Sequence, residues 1–481
     1  MADRFGMDGA RDITSVDSLP RDALRAHLIG IGGSGMQSLA AVLSRRGWRI
    51  SGTDLDPGAV GDLKWLKATI STGHAARNVP ADAHLAIHSD AIPLENVERR
   101  RALELGIRSK SYPQMLADLS CSATTYAVAG THGKSTVTAM AAAALVRGGL
   151  DPTVICGATP IGCGSGGRAG NGSIFLVEAC EYRANFLQLA PQVAIVLGIE
   201  PDHFDYYRSR GQLIDAFKHF VARVPSDGLA ILNRDCPTAR RLPRELSCRT
   251  TTFGLRGGAD WTALRLQTRR GRYRFWLAER GRPLAEVALQ VTGKHNVLNA
   301  LAAAALASAA GVGPETIASA LSSFRGLKRR LEVVARRGGV TLIDDYAHHP
   351  TEIRATLATV RAMYPSRRVW CVFQPHQASR TAALLDELAE SLHNADKIAV
   401  AEIFRAREPV ARSGEVTEAD LAASIVRRGG DVLDGRQLDR IVESVASDLR
   451  PGDVLITMGA GNIGKIGQAF VERLRKNRAR S

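Results

Sequence analysis

The chain has 481 residues, room for roughly three domains of ordinary size, and 45% hydrophobic with 23% charged residues excludes wholesale disorder. No uncharged apolar run reaches membrane-span length; the Ala-rich stretch from Leu298 to Ala310 is too short and is broken by Asn299. The 63 basic and 48 acidic residues leave a net charge of +15, which suits nucleic acid, an anionic membrane face or small polyanions, but no zinc-finger spacing or RNA-binding aromatic motif favours nucleic acid.

Met1 to Ser18 mixes acidic, basic and Gly residues without an apolar centre, which argues against a secretory signal. A βαβ unit follows. Apolar Ala26–Ile31 reads as a strand, Gly30, Gly32, Gly33 and Gly35 as a turn, Met36 to Leu43 as a helix, and Trp48–Ser51 as the next strand. Leu85–Ile87 is a further strand, and Val97–Leu105 and Tyr112–Leu119 are helical. A second strand–glycine–helix start spans Tyr126–Ala129 and a helix over 135–146. Strands are expected at Ile174–Val177, Val193–Leu197 and Leu229–Leu232, with Arg270–Ala278 alternating like an exposed antiparallel strand. The last third adds strands at Leu331–Val334, Val340–Ile343, Val369–Phe373, Ile398–Val400 and Val454–Met458. The basic end (Arg473, Arg475, Lys476, Arg478, Arg480) reads as a solvated, partly frayed tail. The expected architecture is α/β in three domains: a Rossmann-like N-terminal domain over 1–120, a central P-loop ATPase-type α/β domain over 121–330, and a Rossmann-like C-terminal domain over 331–481. Seven scattered cysteines without a CxxC pair point to a reducing, cytoplasmic compartment rather than a disulfide framework or structural zinc.

Two segments have the build of phosphate cradles. Gly30-Ile31-Gly32-Gly33-Ser34-Gly35 satisfies GxGxxG between a strand and a helix, where glycines admit a pyrophosphate and the helix N-terminus offers N–H groups. Asp54 closes the next strand, where a ribose-binding acid would stand. Alone, this unit serves an NAD-dependent oxidoreductase as well as any other nucleotide diphosphate binder. The second cradle, Gly130-Thr131-His132-Gly133-Lys134-Ser135-Thr136, resembles a P-loop ending in GKS, with Val128 where the strict pattern has Gly. Its N–H groups can wrap phosphates, Lys134 can reach the γ-phosphoryl, and Ser135 can hold Mg²⁺. A dehydrogenase has no use for it. Glu178-Ala179-Cys180-Glu181 and Glu200-Pro201-Asp202-His203 each follow a strand, where hard oxygens and an imidazole suit a divalent ion.

The residues now resemble a known family. The GTHGKS loop, Glu200-Pro201-Asp202-His203, Gly293-Lys294-His295-Asn296 with Asn299, Arg329-Arg330-Leu331-Glu332, and Asp344-Asp345-Tyr346-Ala347-His348-His349-Pro350-Thr351-Glu352 are similar to the ATP-dependent Mur ligases. Within that family, Gly30–Met36, Phe373-Gln374-Pro375-His376 with Arg380-Thr381, and Met458-Gly459-Ala460-Gly461-Asn462-Ile463 resemble the alanine-adding branch. The likeness runs in order from about residue 26 to 470.

The resemblance implies that the first domain binds UDP-N-acetylmuramate, the second ATP and Mg²⁺, and that the third closes and holds L-alanine. It implies an acyl-phosphate mechanism, with the substrate carboxylate attacking ATP and the alanine amine then displacing phosphate, in peptidoglycan precursor synthesis. It assigns Glu178 and His203, with Ser135, to metal. It sets Asn296 and Asn299 near adenine, and Arg330 and Asp345 on ribose and phosphates. Substrate falls to Gly30, Gly32, Gly33, Ser34, Gly35, Met36 and Asp54, together with His74 and Ser89. His348, His376 and Arg380 go to the reacting end, Arg380 facing the alanine carboxylate. Lys134, Glu178, His203, His348 and Arg380 are the catalytic set implied. Two departures stand out: Cys180, Tyr182 and Arg183 where acids and Ser are expected, and Gln377 in place of Arg. His295 serves equally as a structural residue. The partners implied are small molecules, with no nucleic acid or membrane insertion, and the protein is expected to be a monomer or weak homodimer. Competing readings are a ligase that reattaches a recycled tripeptide to UDP-N-acetylmuramate, an NAD-dependent oxidoreductase and a non-catalytic nucleotide sensor.

Overall fold

Among the described residues, short apolar strands separated by glycine turns and amphipathic helices build three sheets. The computed structural model describes residues 24–61, 63–406, 408, 414–433 and 437–478, so Met1–Ser18 lies outside the described residues. Two compact units emerge: Met1–Met115 with Gly167–Ala169, and Leu116–Gly166 with Gly170–Ser481.

In the first unit five parallel strands, β1 (Arg25–Ile29), β2 (Arg49–Asp54), β3 (Thr69–Thr72), β4 (Leu85–His88) and β5 (Arg108–Ser111), lie in the order β3-β2-β1-β4-β5. Parallel pairing demands crossovers; α1 (Ser34–Arg45) makes the first, between β1 and β2. Central β1 is covered on both faces, Ala26, Leu28 and Ile29 being buried, which is the burial a parallel sheet requires. The edges β3 and β5 are short and polar, the composition that discourages further strand pairing. The segment Gly167–Ala169 lies against α1, where a Cβ on Gly167 would collide with the Ser38 carbonyl.

In the second unit, one sheet runs Thr153–Ile155, Ile174–Ala179, Thr124–Ala129, Pro191–Val196, Leu229–Asn233 and Arg249–Phe253, all parallel. Trp261–Arg269 joins the last, and Arg272–Glu279 and Arg282–Thr292 extend it as antiparallel ribbons. The strand expected over 270–278 is therefore antiparallel but not simply exposed. Phe275 and Leu277 are buried in the core because helix Lys294–Ala309 packs against these ribbons. That Ala-rich helix is buried from Ala300 to Ala307 on all sides, as a helix apolar all round must be. It packs on helix Lys134–Arg147. The third sheet runs Glu332–Arg337, Val340–Asp345, Val454–Met458, Val369–Phe373, Lys397–Val400 and Val432–Leu433, antiparallel only at its first pair. Strand alternation divides Val369–Phe373 between two cores. Val369, Cys371 and Phe373 meet Leu357 and Leu388 on one side, and Trp370 and Val372 meet Val445 and Phe470 on the other.

Helix Gly464–Arg478, anchored by buried Phe470, runs into the basic end; Arg473 is exposed, and Arg480 lies outside the described residues. All seven cysteines are free thiols. Among the described residues no helix is long and apolar enough to cross a membrane.

Candidate active site

In the first unit the glycine turn is tied to its own sheet. Gly30 has φ +80°, and its N–H and that of Ile31 donate to the Thr53 carbonyl at 2.8 and 3.0 Å. The Gly32 N–H donates to Asp54 Oδ2 at 2.8 Å, and the Asp56 N–H to Asp54 Oδ1 at 3.0 Å. The Asp54 carboxylate thus organises the turn directly. A Cβ on Gly32 would lie 2.7 Å from that carboxylate, and one on Gly35 2.7 Å from the Tyr112 hydroxyl. Gly33 and Ser34 are exposed at the start of α1, no side chain caps that helix, and Met36 is buried beneath it. Ser89 follows β4, its N–H donating to Ile29 O at 3.0 Å and its hydroxyl accepting from Ala91 N–H.

His74 leads to a residue that sequence reasoning missed. Its Nδ1 is 2.9 Å from the Thr53 hydroxyl, which donates to Glu98 Oε2 at 2.5 Å. Glu98 is fully buried and also accepts from the Ala75 N–H and the Asn78 amide, with His27 Nε2 at 3.4 Å. Burial by itself would raise its pKa, but these bonds outweigh burial and hold it at about 2.

In the second unit the P-loop bends between Gly130 (φ +140°) and Gly133 (φ +85°). A Cβ on Gly133 would lie 2.7 Å from Asn299 Oδ1, so the loop rests directly on the helix that carries Asn299. Thr131 donates its N–H to Gly198 O at 2.9 Å, and its hydroxyl accepts from the Glu200 N–H at 2.9 Å. Lys134 Nζ donates to Gly130 O at 2.6 Å and to Glu181 Oε2 at 2.8 Å. Burial would lower the lysine's pKa; the Glu181 carboxylate outweighs it and keeps the ammonium charged. Glu181, buried and also 3.5 Å from His203 Nε2, is held at about 2 by the Lys134 ammonium and the contact with His203 despite burial. The Ser135 hydroxyl donates to Glu178 Oε2 at 3.1 Å, while the Gly157 N–H binds the other carboxylate oxygen. Thr136 follows in the first turn of helix Lys134–Arg147. The structure therefore pairs Glu178 with Ser135, and Glu181 with Lys134 and His203.

The third sheet, helix Lys294–Ala309 and the loop at Asp202 contribute the rest. Asp345 accepts from Leu331 N–H at 2.7 Å and Ala347 N–H at 2.8 Å, and burial pushes its pKa up to about 6 despite Arg330. Arg330 lies 3.6 Å from Glu352 and over the Tyr346 ring at 5.1 Å. Asn296 donates to Thr292 O at 2.7 Å and accepts from Asn299 at 3.0 Å. Burial lowers the pKa of His295 to about 4. His348 Nδ1 is 3.1 Å from Tyr346 O, and burial lowers its pKa to about 4, so the ring is neutral. Its ring stands 5.7 Å from that of His376. Arg380, 3% exposed, donates from Nε and Nη2 to Asp202 Oδ1 at 2.8 and 2.7 Å and from Nη1 to His376 Nδ1 at 2.8 Å. Burial opposes charge on Asp202, but Arg380 outweighs it and holds the carboxyl far below the usual carboxylate range. The guanidinium placed on sequence grounds near an amino-acid carboxylate thus already has a protein carboxylate at two of its nitrogens.

Backbone strain gathers at these segments. His203 (φ 55°), Arg329 (φ 58°), Leu331 (φ 48°) and Gln377 (φ 70°) all adopt the left-handed region that non-glycine residues avoid. The His203 N–H donates to Asp202 Oδ1 at 2.7 Å and the Gln377 N–H to Phe404 O at 2.9 Å, contacts that sustain the strain. Sequence reasoning also passed over His132, Glu200, His349 and Glu352 as one assembly. His132 Nδ1 lies 3.2 Å from Glu352, and its Nε2 lies 3.4 Å from Glu200. Burial would lower its pKa, but Glu352 and Glu200 raise it to about 9. Only Pro350 and Glu352, marking a helix first turn, signalled this in the sequence.

Known proteins resemble the chain along most of its length. Residues 25–124 match the Mur ligase family catalytic domain, 128–307 the Mur ligase middle domain, and 329–461 the Mur ligase glutamate ligase domain. A UDP-N-acetylmuramate–L-alanine ligase of Caldanaerobacter subterraneus subsp. tengcongensis is 38% identical over 94% of this chain and 98% of its own length. The enzyme of that name from Nitratidesulfovibrio vulgaris is 40% identical over 92% and 98%. Among solved structures, the UDP-N-acetylmuramate–alanine ligase of Thermotoga maritima superposes with TM-score 0.80 at 26% identity, covering 94% of this chain and all of that one. A murein peptide ligase from Psychrobacter arcticus gives 0.73 at 26% identity, covering 94% and 98%.

Proposed function

The chain belongs to the Mur ligase family, an ATP-dependent group of ligases, and from that premise we propose that it joins L-alanine to the carboxylate of UDP-N-acetylmuramate. The products are UDP-N-acetylmuramoyl-L-alanine, ADP and phosphate, a step of peptidoglycan precursor synthesis in the cytoplasm. The protein acts as a monomer or weak homodimer on small molecules, without a nucleic-acid partner. The observation that carries the reading is the 38–40% identity to alanine ligases over more than nine-tenths of the chain, with the P-loop lysine intact.

The chemistry has two steps. A carboxylate oxygen of the sugar nucleotide attacks the γ-phosphorus of ATP, and ADP leaves. The amine of L-alanine then attacks the acyl carbon of the acyl phosphate, and phosphate leaves from the tetrahedral adduct as the amine loses a proton. The first step brings an anion to a polyanion; at an effective dielectric of about 20, two unit charges 4 Å apart repel by roughly 4 kcal/mol. Lys134 offsets this when phosphate oxygens take it over from Glu181, whose own charge is then shared with His203. Ser135 and Glu178 fit a Mg²⁺ ion: their oxygens lie 3.1 Å apart, close to the roughly 2.9 Å edge of an octahedron with 2.0–2.1 Å bonds. An ion held by Ser135 and Glu178 would supply charge neutralisation beside the phosphates; Glu178 and His203 are proposed for a second ion. Residues 1–120 hold the UDP portion through Gly30–Met36, Asp54, His74 and Ser89, and 121–330 hold ATP, with Asn296 and Asn299 at adenine. Residues 331–481 close on it with Asp345, beside Arg330 at the end of the central segment, and hold alanine near His348, His376 and Arg380.

The likeness to a murein peptide ligase makes the tripeptide-adding reaction the rival. Phosphate release from ATP is measured with UDP-N-acetylmuramate and either L-alanine or the tripeptide. Turnover with alanine is expected; turnover with the tripeptide alone rejects the assignment.

A further inference from the structure

We propose that His132, Glu200 and His349 form a binding site for a transition-metal ion of the Zn²⁺ class, distinct from the nucleotide's cation site and able to clamp the P-loop to helix Pro350–Met363. Among the described residues this is the one group of three His, Cys, Asp or Glu whose ligand atoms all lie within 4.8 Å of one another. Glu200 Oε2 is 3.4 Å from His132 Nε2 and 3.7 Å from His349 Nδ1. Tetrahedral zinc with bonds of 2.0–2.1 Å spaces its ligands by roughly 3.3–3.5 Å, close to both Glu200 separations, and the two imidazoles, with ring centroids 4.7 Å apart, would draw in around the ion.

The outer contacts orient the ligands as metal sites do. Histidine ligands to metals present one nitrogen inward while the other N–H donates to a carboxylate or carbonyl. Here His132 Nδ1 faces Glu352 Oε1 at 3.2 Å, and His349 Nε2 faces Pro201 O at 3.2 Å. The inward atom His132 Nε2 is buried and faces only Glu200 Oε2, at 3.4 Å, a contact outside hydrogen-bond geometry whose proton an ion would replace. Glu200 Oε2 is fixed by the Thr351 hydroxyl at 2.6 Å. One protein donor competes, the Thr351 N–H at 3.3 Å from His349 Nδ1, a long helix-cap bond. Glu200 is 39% exposed, which gives an ion and its fourth ligand, a water, a way in. Two imidazoles and one carboxylate favour Zn²⁺, Co²⁺ or Ni²⁺ over Mg²⁺. Such an ion would hold His132 of the nucleotide loop to residues that precede and cap a helix of the third sheet, and so slow turnover.

The test is calorimetric titration of the metal-free full chain with Zn²⁺ in millimolar Mg²⁺. One Zn²⁺ per chain is expected, with affinity falling at least 10-fold in His349→Gln and in Glu200→Gln and unchanged within twofold in Glu178→Gln. Co²⁺ on the unmodified chain should give the intense visible absorption of a tetrahedral centre, a reading that needs no variant. Absence of that absorption, binding untouched by both substitutions, or binding lost in Glu178→Gln overturns the proposal.

Discussion

At the scale of single residues, the buried Glu98 makes the sharpest prediction. Its folded pKa, about 2, lies below the unfolded value near 4.5, so its contribution is fully present above pH 4.5 and is lost as pH falls toward 2. A shift of that size is worth on the order of 3 kcal/mol. Glu98→Gln should therefore lower the stability of the first unit by about 2–3 kcal/mol at pH 7. It should also flatten the dependence of stability on pH between 4.5 and 2. Chemical denaturation across that range checks both, and an unchanged slope would show that the carboxylate is not what the surrounding donors hold. Nothing in the sequence near Glu98 announced this role. Its partners Thr53, His74 and His27 come from distant strands and turns, so the cluster exists only once β1 and β2 are paired.

At the scale of elements, the P-loop and the helix Ala378–Ala383 carry the strain and the charge. Gly133→Ala adds a Cβ 2.7 Å from Asn299 Oδ1 at a residue with φ +85°. The left-handed conformation alone costs roughly 1–2 kcal/mol in an L-residue, and the displaced loop should bind ATP at least 10-fold more weakly. Equilibrium dialysis with labelled nucleotide measures it; unaltered affinity would mean that the loop does not need this turn. Arg380→Ala leaves Asp202 buried without its cation, and breaking a buried pair from one side costs about 3–5 kcal/mol. Adding Asp202→Ala should recover part of that loss, and a double-mutant cycle by thermal melting reads the coupling. Strict additivity would contradict the pairing. The strand–glycine–helix starts at Gly30 and Gly130 were legible from sequence because glycine turns and apolar periodicity are local. The polar edge strands Thr69–Thr72 and Arg108–Ser111 lack that periodicity, and their strand character comes from pairing with apolar neighbours. The partnership of Arg380 with Asp202, and of Glu181 rather than Glu178 with Lys134, joins residues far apart in the chain and was invisible for the same reason.

At the scale of the molecule, the two cradles belong to different compact units, each with its own sheet. Lys134→Ala should reduce ATP turnover by a factor on the order of 10³ while leaving the affinity for UDP-N-acetylmuramate within twofold. Simultaneous loss of both in a folded variant would contradict the division of labour. The ordered motifs from the first glycine turn to Met458–Ile463 made the architecture readable, whereas the number of units and the acid clusters within them depended on tertiary packing. The central claim is that ATP phosphorylates the sugar nucleotide's carboxylate before alanine arrives at the acyl carbon. UDP-N-acetylmuramate labelled with ¹⁸O in that carboxylate, turned over with ATP and L-alanine, tests it directly. The account predicts one labelled oxygen in each inorganic phosphate released; phosphate free of label, with the amide product still formed, would contradict it.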